Sequence, residues 1–153
     1  MTYAAETGRK GPIVVLVADR SEARFYACED ADAALAPIES VAHPEGRLRN
    51  HDLVSDSAGL TIGSGYREGA PTGGTPATEH EAQRFAKALA HRLDELRNDN
   101  ALGSLYLIAE PHFLGLLRAE LSTPCRDRVA GEVHHRLIDS DVGQIRAALP
   151  QQL

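Results

Sequence analysis

A single α/β domain built on a mixed five-stranded sheet is predicted by three features of this 153-residue chain. The first is a β-branched apolar run, IVVLVAD at Ile13 to Asp19, followed within a few residues by a second β-like segment. The second is a long amphipathic helix pattern from about Thr78 to Asn98. The third is strand-helix alternation through the remaining residues, the signature of parallel strands joined by crossovers.

The elements follow in order. The run at Ile13 to Asp19 suits a central strand covered on both faces. Turn formers Asp19, Arg20, Ser21 and Glu22 end it, and ARFYAC at Ala23 to Cys28 resumes as the second arm of a hairpin. PIESVAH at Pro37 to His43, with Ile38 and Val41 as its apolar positions, predicts a third strand near a sheet edge. Thr78 with Glu81 three residues on reads as a capping box. The helix behind it carries Ala82, Phe85, Ala86, Leu89, Leu93 and Leu96 on one side and Arg84, Lys87, His91, Arg92 and Glu95 toward the other. SLYLIA at Ser104 to Ala109 is a strand, PHFLGLLRAEL from Pro111 a helix ending before Pro124, and Arg128 to Ile138 the fifth strand. Asp139 or Ser140 then caps a final helix that Pro150 stops. Right-handed crossovers around a central first strand imply the order 3-2-1-4-5 with strand 2 antiparallel, which is similar to the ribonuclease H-like arrangement.

Composition limits the function. A 42% hydrophobic chain of this length makes one core without staples, and Cys28 and Cys125 show no metal or redox spacing. Residues 1–11 read as a mobile end, and the apolar run after them is too short for a membrane helix or a secretory signal. The expectation is a cytoplasmic protein without membrane insertion. A net charge of −6 argues against a general nucleic-acid binder, which needs surplus Lys and Arg to neutralise phosphates, while leaving local basic patches open.

The long polar, glycine-rich connection at residues 44–77 is where activity is expected, because such a loop inside a small domain is either functional or disordered. Arg47, Arg49 and Arg67 lie in it, accompanied by Asp52, Asp56 and Glu68, so a mixed-charge solvated loop is the plain alternative to a binding surface. Tyr66 beside Arg67 is a pair able to stack on an RNA base. His43, His51, Asp52 and Asp56 contain metal-ligating groups, but their spacing matches no metal motif, and no metal or cofactor is expected. His134 and His135, adjacent on the fifth strand, would face opposite sides, one packed and one solvated. Ser55, Ser57 and Ser64 lack a nucleophile elbow, and GSGYREG at Gly63 to Gly69 lacks the context of a nucleotide cradle. Asp19 at the end of the first strand is placed where a nuclease of this fold could hold Mg²⁺, with Glu110 and Asp139 at other strand ends; its simpler role is bonding turn N–H groups.

Several segments carry a resemblance that covers nearly the whole chain. They are VLVADRSEARFY at Val15 to Tyr26, HPEGRLRNHDLVSDSAGL at His43 to Leu60, EAQRFAKALAHRL at Glu81 to Leu93, LYLIAEPHFLGLLRAEL at Leu105 to Leu121, and VAGEVHHRLIDSDVGQIRAAL at Val129 to Leu149. In this order they resemble the bacterial host attachment family, described as required for attachment to host cells. That family in turn looks like the central domain of archaeal and eukaryotic peptide-chain release factors and of Pelota, which shares the predicted fold. In release factors a GGQ loop before the long helix promotes peptidyl-tRNA hydrolysis; the corresponding residues here are Gly73, Gly74 and Thr75. Thr75 has no side-chain amide and Pro76 restricts its backbone, a departure from the family pattern that puts that chemistry in doubt.

The resemblance implies a non-enzymatic interaction domain, associated with the ribosome or an RNA–protein assembly and acting indirectly on attachment. A protein partner is the other binding possibility. The enzymatic alternative is a peptidyl-tRNA hydrolase or a metal-dependent nuclease. The expected binding residues are Asp19, Arg47, Arg49, His51, Asp52, Asp56, Tyr66, Arg67, Gly73, Gly74 and Thr75.

Overall fold

The computed structural model describes residues 11–29, 33–43, 76–151 and 153. Strand β1 (Ile13–Ala18) lies at the centre of a five-stranded sheet with β2 (Glu22–Cys28), β3 (Ala36–Ala42), β4 (Ser104–Ile108) and β5 (Val129–Val133). The order is β3-β2-β1-β4-β5, as the sequence predicts. β2 runs antiparallel to β1 and β3, while β4 lies parallel to β1 and β5.

The side-chain period of two explains why β1 must be apolar throughout. Val14, Leu16 and Ala18 join Ala23, Phe25, Leu105 and Leu107 in one core, whereas Val15 and Val17 join Tyr26, Tyr106 and Ile108 in the other. Helix α1 (Pro76–Asn98) covers the first face through Phe85, Leu89, Leu93 and Leu96, beside α2 (Pro111–Glu120) and the single turn α3 (Thr123–Arg126). Helix α4 (Val142–Ala148) covers the second face through Ile145. The result is a three-layer α/β/α domain.

Four local expectations need correction. Helix α1 begins at Pro76, which suits a first helical position because proline lacks the N–H that would be unbonded there; Thr78 therefore lies inside the first turn. The fifth strand stops at Val133, so His134 and His135 lie beyond it, and both are exposed. The last helix is capped by Asp141, whose carboxylate accepts from Gln144 N while the Gln144 side chain accepts from Asp141 N. Ile38 does not pack: the register of β3 against β2 slips between Glu39 and Pro37, leaving Ile38 as the extra residue, 45% exposed.

Long-range polar contacts hold the helical layer in place. Arg92 of α1 forms a two-pronged pair with Glu39 of β3, with N–O distances of 2.8–3.0 Å, so this arginine ties the edge strand to the helix. Farther along α1, Asp94 Oδ1 accepts from Ser122 Oγ at 2.6 Å and Cys125 Sγ at 3.2 Å, with the Arg97 guanidinium 3.5 Å away. The Ser122 bond, helped by Cys125 and Arg97, holds this carboxyl below the usual carboxylate range, while burial pushes the Cys125 thiol up.

A carboxyl whose folded pKa is depressed adds stability above its unfolded pKa and loses it as pH falls through the folded value. The wild-type urea midpoint should therefore fall between about pH 5 and pH 2, and Asp94→Asn should flatten that dependence while lowering the midpoint at pH 7. An unchanged acid slope in the variant would remove Asp94 from the account.

Candidate functional site

The ends of β1, β3 and β4 converge on one edge, because these three strands share a direction. In open α/β sheets the carboxyl ends of parallel strands, near a change in strand progression, are the usual location of a binding crevice. Here the chain proceeds outward from β1 through β2 and β3, then crosses to β4 on the other side of β1. Residues 44–75 fall in sequence between His43, at the end of β3, and Pro76, at the start of α1.

Asp19 follows β1. Its Oδ1 accepts from Ser21 N at 2.8 Å, Glu22 N at 2.8 Å and Ser21 Oγ at 3.1 Å, which fixes the tight β1–β2 turn. Its Oδ2 accepts from the Arg136 guanidinium at 3.1 Å, and Arg136 also reaches Asp139 at 2.9 Å. Arginine thus sits between Asp19 and Asp139, two of the three carboxylates that the sequence places at strand ends, which opposes their convergence on Mg²⁺. Asp139 and then Asp19 stabilise the charged form of that arginine.

His43 follows β3, and its backbone N–H donates to Ser21 O at 2.7 Å, joining it to the Asp19 turn. Its ring stacks on Phe85 with centroids 4.9 Å apart and an 8° tilt, and Nε2 lies 3.0 Å from Glu81 Oε1. The other Glu81 oxygen is 3.4 Å from Arg84. Phe85 continues to Phe113 of α2 at 6.0 Å, while His112 Nε2 meets Glu79 Oε1 at 2.8 Å. The start of α1 is therefore clamped to β3 on one side and to α2 on the other.

Of the residues expected to bind, Asp19 lies in this edge cluster. Arg47, Arg49, His51, Asp52, Asp56, Tyr66, Arg67, Gly73, Gly74 and Thr75 lie outside the described residues. Glu81, Phe85, Glu79 and His112 were missed as site residues. Glu81 looked like a capping residue, and Phe85 like core; only its position one helical turn beyond Glu81 marks it as a neighbour of the same partner. Among the described residues, no group of three or more His, Cys, Asp or Glu is arranged to hold a metal. Also among the described residues, no helix is long and apolar enough to cross a membrane.

The fold and this edge define an α/β/α domain with a hydrogen-bonded polar cluster at the carboxyl ends of its central strands. The model of the family described as "Protein required for attachment to host cells" matches residues 14–149, and the chain belongs to that family. Comparison with curated proteins gives no match. Among solved structures the chain is similar to an "Archaeal protein" at 11% identity and a TM-score of 0.47. The match covers 89% of this chain and 32% of the other, so this chain spans about a third of that structure's length.

Proposed function

We propose that this host-attachment protein is a non-enzymatic interaction domain of the bacterial cytoplasm that engages the ribosome or another RNA–protein assembly, influencing attachment indirectly. The observation that carries the reading is the use made of the polar groups at the sheet edge. Asp19 bonds its own turn and Arg136, and Glu81 bonds His43 and Arg84. These contacts stiffen both anchors of residues 44–75, which favours a presented binding segment, since conformational freedom lost on binding reduces affinity. The resemblance to the release-factor and Pelota domain supplies the class of partner, and Gly73, Gly74, Thr75, Tyr66 and the arginines Arg47, Arg49 and Arg67 are the proposed contacts.

Co-sedimentation with vacant and stalled bacterial ribosomes over a salt series tests the reading. Saturable binding that weakens steeply with salt and is lost in Gly73→Ala/Gly74→Ala/Thr75→Ala is the expected result. No pelleting at low salt would send the search to protein partners.

A further inference from the structure

The exposed side of α1 carries a row of basic side chains, one of which, Arg84, also reaches Glu81 of the edge site. His80, Arg84, Lys87 and His91 are all exposed, Arg84 with 63% and His91 with 76% of its side chain accessible. Their spacing of four, three and four residues keeps them within about 40° of one line along the helix. That line is opposite the Ala82, Phe85, Leu89 and Leu93 side, so the row points directly away from the sheet.

Carboxylates are arranged around this row rather than in it. Glu81 is turned toward His43, although its second oxygen remains 3.4 Å from Arg84. Glu95 ends the row, paired with His91 at 3.4 Å and with Arg92 at 3.0 Å. Gln83 and Ala88, the other exposed residues between His80 and His91, are uncharged. A chain of net charge −6 has therefore kept one exposed helical face free of exposed acid over a length of about 16 Å.

We propose that this face of α1 lies along the phosphate backbone of a structured RNA. The inference rests on the RNA-facing reading above and deepens it by placing a contact surface on the helix. Arg84 and Lys87, the permanent cations of the row, are one helical turn apart, about 5–6 Å between Cβ atoms, a separation that lets them meet neighbouring phosphates along a strand, with His80 and His91 as flanking hydrogen-bonding groups. A convex helix face with side chains projecting outward suits backbone contact, which needs charge and register but no pocket. A membrane surface fits less well, since interfacial helices pair a basic face with exposed large apolar groups. Among the described residues the exposed large hydrophobic is Ile38, which lies on β3.

Fluorescence polarisation with a labelled A-form RNA hairpin, read at several salt concentrations, tests the proposal. Arg84→Gln/Lys87→Gln should weaken binding roughly 10-fold at low salt and flatten the logarithmic salt slope by roughly 1–2, as expected when two phosphate contacts are lost. Arg84→Lys should retain binding, and Ala88→Glu, which removes no contact but adds a negative charge beside the row, should weaken it. Thermal melts would verify that these surface variants fold. Undiminished binding in the double Gln variant overturns the proposal. So does no hairpin binding by the wild type, or equal binding of a DNA duplex, or a preference for anionic vesicles. Ribosome pelleting unchanged by the double variant would overturn the helix surface and leave the broader reading standing; hairpin binding without ribosome pelleting would do the reverse.

Discussion

Phe85→Ala is expected to lower the unfolding free energy by about 3–5 kcal/mol, the range for removing a fully buried aromatic side chain. Phe85 is 2% exposed and belongs to the core between α1 and the sheet, so a cavity there cannot be relieved by solvent. Its ring also supports His43 on one side and Phe113 on the other. The deletion should therefore loosen the end of β3 as well as the helix. Urea denaturation measures the first effect. A double-mutant cycle with His43→Ala measures the second, and the stacked pair should show a coupling of about 0.5–1.5 kcal/mol. A loss below about 1 kcal/mol for Phe85→Ala would mean that the site collapses around the gap, and the picture of a rigid edge would fail.

Asp19→Ala should cost about 2–3 kcal/mol, because one side chain satisfies two turn N–H groups, a hydroxyl and an arginine. Asp19→Asn discriminates between the roles considered for this residue. Its amide oxygen can still accept from the turn, and the forfeited pair with half-exposed Arg136 is worth at most about 1 kcal/mol. Asn should thus restore most of the stability lost in Ala. A metal-binding carboxylate would behave differently: both variants would abolish Mg²⁺-dependent cleavage, with stability hardly entering. Cleavage of RNA by the wild type that disappears in Asp19→Asn would overturn the non-enzymatic reading.

Strand identity was legible because it depends on neighbours in sequence. The alternating membership of Val14 to Val17 in two cores follows from the pleat, and the uninterrupted apolar run announced a strand covered on both faces. The helix pattern from Ala82 to Leu96 was equally local, with a period of 3.6. Boundaries were less legible. Thr78 and Glu81 satisfy a capping pattern by spacing alone, yet Glu81 is drawn to His43, 38 residues earlier. Asp141 displaced Asp139 and Ser140 as the final cap because Gln144 could return a bond to its backbone. His134 and His135 fit a strand pattern but lie beyond the end of β5, since a continuing polar-apolar pattern does not reveal where ladder partners stop.

The sequence by itself determined the α/β class, the strand order 3-2-1-4-5 and the family, which rest on local periodicity, the handedness of crossovers and ordered motifs. Only the tertiary structure decided which polar residues meet. Arg92 and Glu39 are 53 residues apart, and Asp19 and Arg136 are 117 apart. A carboxylate at such a distance leaves no mark on the local pattern around its partner. Whether a charged side chain clamps the fold or faces solvent is set by where the crossovers carry it. That is why Arg92 became part of the frame, while Arg84 and Lys87 on the same helix remained on the surface.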